Sequence, residues 1–118
     1  MTRLLLTRHG HVEGITPKRF RCRAELALTE LGFRQAEALA ARIARHWRPA
    51  AVYTSGMQRS VATAERIGAT CGVTSAVLPG LMDLDYGDWQ MRLQDDIRAE
   101  APELFRLWQE APQLMRFP

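Results

Sequence analysis

An α/β fold, with a mainly parallel sheet layered between helices (three layers, α/β/α), is predicted by three observations. Short apolar runs at residues 3–8, 50–54 and 73–78 have strand length and end in turn signals. Two intervening stretches carry apolar residues at helical spacing. The resulting order of strand, helix, strand, helix, strand implies crossover connections and parallel pairing.

The first run, Arg3 to Arg8, is apolar enough to be a strand buried on both faces, and Gly10 turns the chain at its end. Residues 10–27 read as an irregular loop, broken by Gly14 and Pro17 and loaded with Lys18, Arg19, Arg21 and Arg23. A helix then begins at Thr29, a good N-cap, with Glu30 placed favourably against the helix dipole. Leu39, Ile43 and Trp47 mark its expected buried stripe, and Arg48-Pro49 ends it. After the second strand, Ser55-Gly56 leads into a second helix whose inner face is expected at Met57, Val61, Ala64, Gly68 and Cys71. The third strand breaks at Pro79-Gly80, an acidic and aromatic loop follows over 81–89, and two helical segments fill 92–111, the second opened by Pro102.

Composition narrows the function. The 118 residues suffice for one domain at most, 47% are apolar and 25% charged, as in soluble globular proteins. The net charge of +3 comes almost wholly from arginine, Lys18 being the only lysine. That excess suits a pocket for a small anion better than nucleic acid, since aromatic residues are not interleaved with the basic run in a stacking pattern. Cys22 and Cys71 fit no metal or redox spacing, and His9 and His11 lack a defined third ligand, so no metal and no cofactor are expected. No apolar stretch reaches the length of a membrane span or of a signal peptide, and the expected compartment is the cytoplasm.

The chemistry centres on Arg8-His9-Gly10. Strand ends in α/β sheets are where ligands dock. There Arg8 can grip a phosphate in a bidentate fork, His9 can act as nucleophile, and the glycine permits close approach. Arg59, in the first turn of the second helix, comes from the neighbouring strand end and can converge on the same anion. Alone it would be an ordinary surface arginine; beside Arg8-His9-Gly10 it becomes a phosphate ligand. Asp83 follows the third strand, flanked by Asp85 and Asp88, and can protonate a departing oxygen if burial or a neighbouring acid raises its pKa. The competing reading is that some of these aspartates cap the next segment or pair with the arginine-rich loop.

In order along the chain, Leu6-Thr7-Arg8-His9-Gly10, the stretch Arg19 to Gly32 with Gln35-Ala36, Tyr53 to Ser60 with Thr63-Ala64, and Leu81 to Trp89 resemble the motifs of the histidine phosphatase superfamily, the phosphoglycerate-mutase-like proteins. The resemblance implies a phosphoglycerate mutase-like fold and a metal-free phosphohistidine mechanism. His9 and Asp83 would be catalytic, and Arg8 and Arg59 would bind phosphate. Arg19, Arg21, Cys22 and Arg23 are candidates for substrate contact. The expected substrate is a small phosphorylated metabolite. A phosphatase of α-ribazole-phosphate or broad specificity fits better than a mutase, whose long insertions are missing.

The sequence also departs from the family pattern. Asp83 stands where glutamate is usual, Val12 and Ile15 where polar residues are usual, and Cys22 and Met91 at common glycine positions. No later strand supplies the family's second histidine; His11 and His46 do not match it. The chain therefore resembles the N-terminal portion of such a domain, incomplete at the C-terminus, with an apolar sheet edge expected to favour a homo-oligomer or to weaken the fold. A catalytically weak chain that binds phosphate or a partner is the competing expectation.

Overall fold

The structure, a computed structural model, describes residues 1–118. Its elements in chain order are α1 (Glu30–His46), β1 (Val52–Thr54), α2 (Gln58–Cys71), β2 (Ser75–Val77), α3 (Gln94–Glu100) and α4 (Pro102–Glu110), with 3-10 turns at 79–81, 87–89 and 112–114. Strands β1 and β2 are parallel, in the register Val52 to Ser75 and Thr54 to Val77. The chain folds as two compact units, one of residues 1–13 and 25–82, the other of 14–24 and 83–118.

The first unit is the α/β unit that the pattern predicted, with one strand fewer. Thr29 caps α1 through its hydroxyl, which accepts from Gly32 N–H. Gly72, at φ +73, ends α2 in the left-handed conformation that glycine adopts most easily. The buried stripe of α1 is Gly32, Ala36, Ala40 and Ile43, while Leu39 packs at its margin and Trp47 is largely exposed. Small residues there let α1 approach its neighbours closely, so of the expected Leu39-Ile43-Trp47 line only Ile43 is buried and Ala40 takes the place of Leu39. On α2 the buried residues are Arg59, Thr63, Ala64, Ile67 and Gly68, so two polar residues share a face expected to be apolar.

The first predicted strand does not form. Residues 3–8 carry no sheet hydrogen bonds, and Leu4 and Leu6 are 80% and 94% exposed. The two-stranded sheet consists of β1 and β2 alone, so nothing pairs with this segment. A run apolar on both faces is a strand only where neighbours lie alongside it. No helix is long and apolar enough to cross a membrane.

The second unit is held by aromatic residues. Phe20 lies at its centre, its ring 4.9 Å from Trp108, 5.1 Å from Trp89 and 5.3 Å from Tyr86, with Ile97 and Phe105 completing the core. Backbone bonds tie the 18–20 stretch to 91–94: Phe20 N–H donates to Arg92 O, and Met91 N–H to Phe20 O. Burial pushes the Tyr86 phenol above its ordinary pKa. The arginine-rich loop thus carries a core anchor in the middle of its charges. Truncation of that anchor, Phe20→Ala, is expected to cost about 3–5 kcal/mol, measured by urea unfolding followed through tryptophan fluorescence.

Candidate active site

The site begins where the unpaired N-terminal segment meets α1. A Cβ on Gly10 would strike the carbonyl of Gly32, and a Cβ on Gly32 would strike the carbonyl of His11. The loop after His9 therefore lies backbone to backbone against the first turn of α1, an approach only two glycines allow. Hydrogen bonds fix it there. Thr29 N–H donates to His11 O at 3.0 Å, and His11 N–H donates to Gln35 Oε1 at 2.8 Å. Thr29 Oγ1 also lies 2.8 Å from His11 Nδ1. The buried N–H of Gly10 donates to Thr63 Oγ1 on α2 at 3.1 Å.

His9 is half-buried, and its Nδ1 lies 2.7 Å from Gly10 O. A carbonyl oxygen only accepts, so Nδ1 carries a proton, and in the neutral ring Nε2 holds the lone pair. This is the tautomer a nucleophilic imidazole needs. Arg8, His9 and Gly10 line an open cleft of about 210 Å³ with Gln35, Ala36 and Leu39 of α1 and Thr63 of α2. Arg59, in the first turn of α2, is buried, at 3% exposure. Its carbonyl accepts from the Thr63 hydroxyl at 2.8 Å. The structure thus gathers Arg8 and His9 on one cleft and ties the Arg59 backbone to them through a single threonine.

The amide at the start of α2 is already engaged by an anion of the chain itself. Gln58 N–H donates to Glu25 Oε2 at 3.0 Å. A helix N-terminus favours a carboxylate there. Glu25, Thr63 and Gln35 are residues that chemical reasoning from the sequence did not assign. The threonine and the glutamine each sit in the second turn of an amphipathic helix, where spacing alone reads as packing or as a solvated face.

The remaining candidates belong to the second unit. Asp83 is exposed, in contrast to the burial expected of a proton donor; its Oδ1 accepts from Leu84 N–H at 2.8 Å, and its carbonyl accepts from Arg23 Nε at 2.9 Å. The guanidinium of Arg19 donates to Met91 O and that of Arg21 to Gly14 O, bracing the loop. Cys22 departs from its expected place at the substrate. It is 2% exposed, its thiol donates to Phe20 O at 3.2 Å, and it packs in the aromatic core. Cys22 and Met91, the two residues at common glycine positions, have φ of 50° and 62°. Both sit in the left-handed region where glycine is the easy choice, which accounts for the pattern from which they depart.

Residues 4–118 match the sequence profile of the histidine phosphatase superfamily (branch 1). A bifunctional protein of Mycobacterium tuberculosis is 36% identical over 107 residues, covering 91% of this chain and 29% of that protein. The adenosylcobalamin/alpha-ribazole phosphatase of Salmonella typhimurium is 33% identical over 106 residues, covering 90% and 52%. Among solved structures, a mycobacterial glucosyl-3-phosphoglycerate phosphatase complexed with VO3 superimposes with a TM-score of 0.80 at 29% identity, over 86% of this chain and 48% of that one. The chain spans about half or less of the length of these relatives.

The backbone contact between Gly10 and α1 makes a direct prediction. Gly32→Ala forces the loop and helix apart, with an expected loss of about 1–3 kcal/mol in thermal unfolding monitored by circular dichroism.

Proposed function

Because the chain belongs to the histidine phosphatase superfamily (branch 1), we propose that it hydrolyses a small phosphomonoester through a phosphohistidine on His9. The observation that carries this reading is the 2.7 Å bond between His9 Nδ1 and Gly10 O, with Arg8 adjoining on the same cleft. It leaves the Nε2 lone pair as the attacking pair. In the proposed first step Nε2 bonds to phosphorus while the phosphorus–oxygen bond to the alcohol breaks. Arg8 and Arg59 neutralise the equatorial oxygens, which carry most of the charge in such a transfer.

Asp83 is proposed to give the departing oxygen its proton, and then to take one from the water that hydrolyses the phosphohistidine. Arg19, Arg21 and Arg23 are proposed to meet the non-phosphate part of the substrate. That the relatives include an adenosylcobalamin/alpha-ribazole phosphatase and a glucosyl-3-phosphoglycerate phosphatase supports a small organic phosphate as substrate class.

Incubation with p-nitrophenyl phosphate followed by rapid acid-free quenching and mass spectrometry is expected to place an acid-labile phosphoryl group on the His9 peptide. His9→Ala is expected to lower turnover by about 10³-fold or more. Absence of both the adduct and any turnover would leave a chain that binds phosphate without hydrolysing it. Asp83→Asn tests the proton donor by its dependence on the leaving group. A p-nitrophenolate leaves without help, whereas an alkoxide does not, so the loss is expected to reach about 10²–10⁴-fold on alkyl phosphates and to stay small on p-nitrophenyl phosphate. Equal losses on both would remove Asp83 from that role.

A further inference from the structure

We propose that Thr63 and Gln35 are positioning residues for the His9 nucleophile, clamping from two helices the peptide groups that meet at Gly10. The proposal rests on the phosphohistidine reading above and adds to it how the imidazole is aimed. Two peptide groups flank the Gly10 Cα. The N–H of the first, between His9 and Gly10, donates to Thr63 Oγ1 at 3.1 Å. The second, between Gly10 and His11, is bonded at both ends. Its oxygen faces His9 Nδ1 at 2.7 Å, and its N–H donates to Gln35 Oε1 at 2.8 Å.

A peptide group bonded at both ends is polarised, and each bond strengthens the other. Gln35 therefore acts on the bond that fixes the His9 tautomer through one intervening amide. Thr63 acts on direction. Its hydroxyl is buried and gives its proton to Arg59 O at 2.8 Å, as helical threonines often do toward the preceding turn. Here its lone pair also receives Gly10 N–H, so one oxygen fixes the spacing between the His9 backbone and the Arg59 backbone. A displacement of about 1 Å at a reacting group costs on the order of 10²-fold in rate, which is the scale at which such a clamp matters. The glycine pair reinforces it, since neither Gly10 nor Gly32 leaves room for the loop to shift toward α1.

The test uses the 118-residue chain with ¹⁵N-labelled histidine, read by long-range proton–nitrogen spectra at about pH 8, where an ordinary imidazole is neutral. Thr63→Val and Gln35→Met remove the hydrogen-bonding groups, whereas Thr63→Ser and Gln35→Glu keep them. Of the first pair, Gln35→Met is expected to raise the Nε2-protonated form of His9 about 1.5-fold, a fraction of the worth of one ordinary hydrogen bond, whereas Thr63→Val changes direction and not tautomer. Their kcat is expected to fall about tenfold with KM nearly unchanged, the pattern of lost positioning. Thr63→Ser is expected to stay near wild type in both readouts, and Gln35→Glu, which adds a negative charge to the cleft, to keep the wild-type tautomer.

Folded Thr63→Val and Gln35→Met chains with wild-type tautomer and kcat would overturn the clamp. Should Thr63→Val fail to fold, Gln35→Met decides alone, because Gln35 is exposed and its replacement disturbs no core. A tautomer that responds in a chain forming no phosphohistidine would leave the clamp standing and remove the catalytic reading. Turnover unaffected by all four substitutions would do the reverse.

Discussion

The loop that carries His9 touches the first helix backbone to backbone, at Gly10 and Gly32, and the first unit's site geometry follows from that contact. With no side chain between them, the carbonyl of His11 reaches Thr29 N–H, and its amide reaches Gln35. Thr29 in turn caps the helix, so the residue that starts α1 also anchors the loop. A larger residue at either glycine would separate these groups by more than a hydrogen bond can span. Local helix capping and the placement of an imidazole are here one arrangement.

Buried polar groups have a different role in this fold from buried apolar ones. The apolar clusters around Val12, Leu28 and Ala36, and around Ala40, Ile43 and Ile67, hold α1 and α2 in place without specifying any direction. Thr63 and Arg59 lie on the same inner face of α2 and do specify one, because their bonds have fixed length and angle. Such groups are tolerated in a core only when satisfied. The Thr63 hydroxyl meets that condition by using its proton and a lone pair at once.

The second unit turns a charged loop into a structural element. Arg19 and Arg21 spend donors on carbonyls of their own unit, and Phe20 between them fills an aromatic core. A phenylalanine amid four basic residues reads in sequence as part of a solvated or substrate-facing loop. Only the distant residues Tyr86, Trp89 and Trp108 make it a core position. Cys22 follows Phe20 inward for the same reason, at the cost of a left-handed backbone.

Periodicity and turn chemistry, read along the chain, were enough for both long helices, the parallel pairing of the two strands after them, and the two short helices that follow. Those signals act over a few residues, as does the expectation placed on Arg8-His9-Gly10 and on Arg59 in the first turn of α2. Whether residues 3–8 become a strand lay beyond such reading, because a strand exists through hydrogen bonds to neighbours and none lie beside this one. The same holds for the threonine and glutamine that grip the Gly10 peptides. Their bonds join residues 53 and 24 positions apart, and no spacing in a single sequence encodes a contact made across that distance.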